Sequence, residues 1–488
     1  MAHSRSARTL ACIGITAMMS GCALQAEYSP PALEMPKQWA DAQVSSLSDV
    51  EAASRMPQAD EPFPHQWWTA LRDPAIDALV SIALGDSPTL DEVISRTDEA
   101  RAVLRGTRAQ RVPSIQANAS VARQRGAAAE AGQTERSSVA DAGLSFGYEL
   151  DVFGRVRESV KAAENRLAAR AAEVESARLT LVSQVADEVV ALRACAFSQR
   201  VRALDIESRT QVLDLTRRRV NAGVDARIEE SRATASLASA RTDAALLSQE
   251  CETRALALQA LTGSAEVRSI VLGSAEEAPE VPFMPVSPAL PLPLPATVLS
   301  RHPELLAADR DAAAAWSDIG VARAERLPRI DLGAMLTGNW VRAAGSTLSF
   351  TTWSFGSTLA APLFDGGAGA SNVDAGEARY RAAVARLRQA VRRVVQDVER
   401  ALATEESSRI RVSSAQEALG AARDTFFVTE RRWRAGATSL FELEDARRQR
   451  SAAEDAAIAA TRDHVQAWIA LMKAIGVVTP PLHNPSES

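Results

Sequence analysis

One set of landmarks occurs twice along this chain, and the repetition limits its fold more than any other feature. Arg111-Val112-Pro113-Ser114-Ile115 recurs as Arg326-Leu327-Pro328-Arg329-Ile330. Arg218 to Gly223 recurs as Arg431 to Gly436, and Leu258 to Gly263 as Leu471 to Gly476; both pairs stand 213 residues apart. Anchors at a nearly constant offset, separated by long stretches, mark an internal tandem duplication, and each unit is far larger than a solenoid repeat. Each copy predicts a pair of strands followed by a very long helical hairpin.

Composition agrees with long helices. Aromatic residues are 5% of the 488, with 3 Tyr, while Ala, Arg, Glu and Ser dominate the middle stretches. The net charge of −6 with both signs interleaved suggests no nucleic-acid partner. The five histidines are scattered and there is no CxxC, so no metal, cofactor or catalytic constellation is assigned. Residues 1–21 predict an export signal: Arg5 and Arg8 precede an apolar run from Leu10 to Met19. Its end, Met19-Ser20-Gly21-Cys22, resembles the bacterial lipobox. That implies lipidation of Cys22, and Ala23 after it fits forwarding to the outer membrane.

The tether 22–62 is rich in Pro, Ala, Ser and Asp. The first repeat, 63–278, begins with two helices and is stopped at Pro113. Strands are expected at 113–125 and 138–151. Ile115, Ala117, Ala119 and Val121 alternate with polar or small residues, as do Leu144, Phe146, Tyr148 and Leu150. A hairpin follows over 156–262. After a Pro-rich linker at 279–297, the second repeat, 298–477, supplies strands at 328–341 and 350–363 and a hairpin at 372–475. A tail, 478–488, ends the chain. Loops are expected at 124–137 and around 342–348. The seams Val182-Val185-Val189-Leu192-Ala196 and Val391-Val394-Val398-Leu402 step by three and four, and Leu237-Ala240-Ala244-Leu247-Cys251 marks a returning helix. An outgoing helix of about 64 residues is roughly 95 Å long. Ala222-Gly223 and Ala435-Gly436 end these helices, as Gly past a helix terminus does.

Four strands of about twelve residues cannot close a barrel alone, and a free edge in hydrocarbon leaves backbone groups unpaired. Either the strands form a soluble sheet or several chains pool them. Three chains would supply twelve strands around a water-filled interior and six long hairpins.

Several blocks carry a family likeness. Gln66-Trp67-Trp68 with Asp73-Pro74, Tyr148 to Arg155 (YELDVFGR), and Pro362 to Gly367 (PLFDGG) resemble the TolC superfamily of outer-membrane efflux proteins, most of all its NodT or OprM lipoprotein branch. The resemblance runs from about residue 62 to 477. It implies a mixed α/β membrane protein: a homotrimer with a 12-stranded β-barrel, four strands per chain, continuous with a long α-helical coiled-coil barrel in the periplasm. It further implies a periplasmic adaptor (membrane fusion protein) and an inner-membrane RND pump as partners, with outer-membrane lipid around the barrel.

The same resemblance assigns candidate sites. The tips, with Arg219, Ala222, Gly223, Val224, Arg432, Ala435 and Gly436, fall where adaptors dock; simple chain reversal and a solvated face are the plainer readings. Leu440, Glu442, Asp445 and Arg448 fall at a periplasmic gate lined by acidic rings, where ordinary surface ion pairs are the plainer alternative. Glu229 and Arg232 hold the matching places in copy one, so Arg232 could pair with Asp445 between hairpins. Cys195 and Cys251 lie 28 residues either side of Gly223 and should face each other. A disulfide suits an oxidising compartment, but packed helices sit farther apart than a disulfide spans, so two buried small residues are the alternative. Trp340, Phe350, Trp353 and Phe355 suit interface girdles or plain strand packing.

Functionally these features predict a passive exit duct for small compounds. The alternatives are a duct for type I protein secretion and a non-conducting periplasmic coiled-coil lipoprotein.

Overall fold

A computed structural model describes residues 26–33, 36, 39, 66–127, 134–273, 284–288, 295–343 and 346–477. Cys22, residues 1–21, most of the tether, most of the linker and the tail 478–488 lie outside the described residues. The chain forms two compact units. One comprises Met1–Ala32, Ser95–Ala171 and Ala307–Arg388; the other comprises Leu33–Ile94, Ala172–Leu306 and Gln389–Ser488. Each draws on both sequence repeats, so the repeat is a unit of sequence and not of packing.

The elements are a 3-10 turn (Trp67–Leu71), α1 (Pro74–Asp86), α2 (Pro88–Ala109), β1 (Ser114–Ala127), β2 (Thr134–Leu150), α3 (Arg155–Asn221), α4 (Arg227–Thr262) and α5 (Val267–Leu272). The second half adds α6 (Pro295–Arg301), α7 (Pro303–Ala324), β3 (Arg329–Ala343), β4 (Ser346–Ala360), α8 (Ala368–Arg434) and α9 (Leu440–Ala474).

In the first unit the four strands form one antiparallel sheet in the order β1-β2-β3-β4, leaving β1 and β4 as its edges. The strands extend farther than their side chains suggest. Pairing continues to Ala127↔Thr134 and Ala343↔Ser346, through stretches expected as loops. The ladder is made by backbone groups, so polar residues such as Gln124 and Arg136 join it without an apolar partner. β4 begins earlier than expected and stops at Ala360, before Pro362.

The register aligns one face across all four strands: Ile115↔Phe146, Phe146↔Ala334 and Ala334↔Phe355 share it, as do Ala117, Leu144, Leu336 and Trp353. The opposite face aligns Asn118, Gly143, Thr337 and Thr352. Of the aromatics expected together, Trp340, Trp353 and Phe355 lie on the apolar face, whereas Phe350, paired with Asn339, lies on the polar one.

Both strand pairs hand over to their helices through carboxylate caps. Asp151 accepts from the backbone N–H of Val156 at 3.0 Å and Arg157 at 2.8 Å, and Glu149 receives Arg155 bidentately at 2.9 and 2.7 Å. In the second copy Asp365 accepts from Gly367 and Gly369 at 2.8 and 2.7 Å. These contacts explain the YELDVFGR and PLFDGG blocks as helix starts. Part of the expected tether is packed: the Tyr28 hydroxyl donates to Asp309 at 2.8 Å, and Trp316 Nε1 donates to the Ala26 carbonyl at 2.9 Å.

In the second unit the paired tryptophans are core residues. Trp67 is 1% exposed and lies 5.7 Å from Trp468, ring centroid to centroid. Asp73, fully buried, caps α1 through Ala75 and Ile76 and also pairs with the buried Arg193. That double duty accounts for the Asp-Pro motif. The seam on α3 is wider than a coiled-coil stripe: Leu181, Val182, Ser183, Val185, Ala186 and Val189 to Cys195 are all buried. α8 keeps the one-sided pattern, with Val391, Val394 and Val398 buried and Arg392 and Arg393 exposed.

His302, buried ahead of α7, is held neutral to about pH 4 by burial, against Asp397 and the Ala474 backbone. Its folded pKa lies below the ordinary 6.5, so on acidification the unfolded chain takes up the proton first. Stability should be full above pH 6.5 and fall by about 3 kcal/mol down to pH 4. His302→Gln should flatten that dependence in melts recorded across the window.

Candidate functional site

The two tips are built alike. Gly223 and Gly436 both adopt φ of 73°. At the first tip Gly223 N–H donates to Val220 O at 3.0 Å and Val224 N–H to Arg219 O at 2.9 Å. At the second, Gly436 donates to Trp433 O at 2.9 Å and Ala437 to Arg432 O at 2.8 Å. This is the Schellman closure, which satisfies the orphan carbonyls at a helix end with a left-handed residue. A Cβ at either glycine would meet no atom within 4 Å, so the backbone angle alone demands glycine. Gly223→Ala and Gly436→Ala should therefore each cost about 1–2 kcal/mol locally, read as faster amide exchange confined to the tip.

Around the turns, Ala222, Val224, Arg432 and Ala435 are exposed, Val224 at 67%. Arg219 is committed within its own chain: its guanidinium binds Asp225 at 3.0 Å, clasping the turn. Copy two has Thr438 at the matching position, and Arg432 points to solvent. The tips thus share a backbone and differ in the charge they present.

The acidic cluster opens α9. Ser439 caps the helix by accepting from Glu442 N–H at 3.3 Å, and the Thr438 hydroxyl donates to the Glu442 carboxylate. The first tip has Ala226 there, with no side-chain cap. Asp445 accepts from Arg448 at 3.1 Å and from Gln449 at 2.8 Å. Arg232 binds Glu229 at 2.8 Å on its own helix, so Arg232 and Asp445 do not pair within one chain: each finds a nearer partner three residues away. Leu440, expected at the gate with Glu442 and Asp445, is buried within the chain. It is 7% exposed and packs with Val212, Leu213, Leu237, Trp433 and Leu443 in a core shared by all four hairpin helices, because its place in the first turn of α9 faces the neighbouring hairpin.

Behind that core lies a polar network that sequence patterning did not reveal. Arg447, 1% exposed, reaches Glu444 at 2.6 Å and Ser208 at 3.0 Å. Arg209 binds Asp205 at 2.7 Å and Glu444 at 3.3 Å, and the Ser236 hydroxyl donates to Glu444 at 2.6 Å. Next along α9, Arg202 pairs with Asp455 and with Ser451. Residues of α3, α4 and α9 are thereby tied together. Burial pushes the Arg447 guanidinium down, opposed by Glu444 and Asp205; burial pushes Asp455 up, opposed by Arg202. The acidic pair Glu444-Asp445 and the basic pair Arg447-Arg448, either side of Ala446, were the only hint in the sequence.

Cys195 and Cys251 sit on α3 and α4 in bonded geometry, with Cα atoms 5.5 Å apart. The helices therefore approach more closely here than the spacing of a typical packed pair.

Comparison with known proteins places these features in context. The model of the outer membrane efflux protein family matches twice, over residues 79–264 and 294–477, once per repeat. The pyoverdine export outer membrane protein OpmQ of Pseudomonas aeruginosa is 28% identical over 480 residues, spanning 96% of this chain and 97% of that protein. Nodulation protein T of Rhizobium leguminosarum bv. trifolii is 26% identical over 96% of each chain. The crystal structure of the CmeC outer membrane channel of Campylobacter jejuni superposes with a TM-score of 0.82 at 19% identity, over 94% of this chain and 96% of that one, and so shows the shared fold.

Proposed function

We propose that this chain, which belongs to the outer membrane efflux protein family, is the outer-membrane exit duct of a tripartite efflux pump, conducting small compounds passively outward. The observation that carries this is the sheet: one face is apolar across four strands, the other is polar, and both edges are unpaired. Ile115, Val121, Leu144, Leu336, Trp353 and Phe355 are each at least half exposed on that apolar face. Neither feature suits a soluble sheet, because apolar patches seek cover and open edges seek partners. Three chains closing a 12-stranded barrel satisfy both. Lipid covers the apolar face, and the polar face, with Asn118, Ser120, Asp141 and Thr352, lines a wet lumen.

From Ile330 to Trp340 the apolar face of β3 runs eleven residues, ten steps that span about 34 Å along the strand. At a tilt near 40° that gives roughly 26 Å of depth, matching the apolar band of such barrels. The hairpins of α3/α4 and α8/α9 then form the periplasmic tunnel. Cys22 carries the lipid anchor. The tips receive a periplasmic adaptor, which links the duct to the energised inner-membrane pump. Glu442 and Asp445 line the constriction, with Arg232 of one protomer against Asp445 of the next.

The test is reconstitution. Purified protein should cross-link as a trimer and give discrete conductance steps in planar bilayers, and its deletion should sensitise cells to small toxic compounds. A trimer with no conductance would favour the structural lipoprotein, and conduction without any change in susceptibility would favour protein secretion.

A further inference from the structure

The polar face of the sheet is not polar throughout. One row across all four strands is apolar: Ala122 pairs with Val139, Val139 with Val341, and Val341 with Leu348. This row lies toward the turns that follow Ala127 and Ala343, at the end of the sheet away from the helices. Strand alternation puts Phe350 on the same face, two residues from Leu348. Phe350 belongs to the next row, with Ser120, Asp141 and Asn339. Leu348 is 62% exposed and Phe350 43%, so both side chains stand open above the sheet. The Ser120 hydroxyl donates to the Asp141 carboxylate at 2.6 Å and holds it beside the apolar row. Farther along the same face the row Gly147-Gly333-Gly356 carries no side chain, so the wall is smooth there and projects at the apolar row. Three inter-strand spacings make the row about 14 Å wide, and Asp141 stands one row away, about 7 Å along its strand.

We infer that this row is a contact site for cargo, and that it favours amphiphilic compounds carrying a cationic amine a short chain away from an aromatic ring. The inference rests on the duct reading above, which turns this face toward a wet lumen. Apolar side chains on a wetted wall gain by being covered. Inside a closed barrel lipid cannot reach them, whereas a solute in the lumen can. Twelve strands enclose more room than the eight-stranded barrels that side chains fill, so the row lines the passage without closing it. Contact there is side-on and brief, as conduction requires: favourable enough to attract, weak enough to release. Leu348 and Phe350 offer an apolar and aromatic surface to a ring. Asp141 offers the opposite charge to the amine, and the spacing of one strand row sets the distance between the two groups. In a trimer the site occurs three times around the wall.

The experiment records single channels of the full-length trimer in planar bilayers, with probe added on the side of the strand turns. The probes are naphthylethylammonium, ethylammonium and naphthalenesulfonate. Naphthylethylammonium should interrupt the current with dwell times about tenfold longer than ethylammonium, because its fused ring adds apolar contact. It should also outlast naphthalenesulfonate, which has the ring and the wrong charge. Leu348→Ser combined with Phe350→Ser should bring its dwell time down to that of ethylammonium. Asp141→Asn should shorten it about threefold or more through the lost charge attraction, and should not shorten the block by naphthalenesulfonate. Asn118→Ala, on the same wall outside the row, should keep the wild-type pattern. Equal dwell times for these probes on wild type would overturn the proposal, as would an undiminished block in the Leu348→Ser, Phe350→Ser variant. If that variant kept the block and conducted more current, the row would be a seat for the strand turns and not for cargo. Conduction without probe preference defeats the site and leaves the duct intact, whereas a wild type that never conducts defeats both.

Discussion

Arg447→Met is expected to loosen the tip end of the hairpins by about 3 kcal/mol or more, the cost of stranding buried anions when one partner of a buried network is removed. Glu444 and Asp205 would remain, with Arg209 alone to balance them at 3.3 and 2.7 Å. Methionine fills most of the volume and packs against Phe426, so lost packing contributes little. The effect is local, and amide exchange is its proper measure: protection over α9 from Leu443 to Asp455 should fall about 100-fold, the equivalent of that free energy, with the sheet unchanged. Buried ion pairs often contribute little net stability compared with apolar replacements. Removing one cation with one anion, as Arg447→Met with Glu444→Gln, leaves Arg209 paired with Asp205 and should therefore recover much of the loss. If Arg447→Met left α9 protection intact, the network would not be a lock.

That network also shows where sequence reading stops. Duplication, strand alternation and the glycine turns are local patterns, and each was legible because its physics is local: φ of 73° at Gly223 and Gly436 demands glycine wherever the chain goes. The faces of the sheet were legible for the same reason, down to Ile115 and Phe146 on one side. The reach of the ladder was not, because backbone pairing at Ala127↔Thr134 does not depend on side-chain polarity. A buried arginine is harder still. Arg447 and Arg448 are neighbours of one type, yet the first is 1% exposed and the second 63%. Only the placement of Ser208, Asp205 and Ser236 on two other helices decides which is which, and no periodicity within α9 encodes it. Likewise Leu440 reads as a gate residue by its position near the tip, and the register of α9 against α3 and α8 makes it core.

Asp445→Ala separates the gate reading from the ion-pair reading, because the two predict opposite balances of stability and conduction. Among the described residues of one chain Asp445 is paired with Arg448 and Gln449, on a partly exposed surface, and such pairs contribute about 0.5 kcal/mol or less. The variant should therefore melt within about a degree of wild type. In a trimer the same substitution removes three carboxylates from a narrow aqueous constriction, where a ring of fixed negative charge concentrates cations and holds Arg232 of adjacent protomers. Single-channel conductance should rise at least about twofold as the constriction relaxes, and cation selectivity should fall. Arg448→Ala supplies the contrast. It breaks the same local pair but leaves the carboxylate ring, so cation selectivity should hold or increase. If Asp445→Ala and Arg448→Ala gave the same traces, Asp445 would be no more than the surface partner of Arg448. Arg232→Ala should raise conductance by the same route as Asp445→Ala, and the double variant should add little, because two residues acting through one contact do not sum.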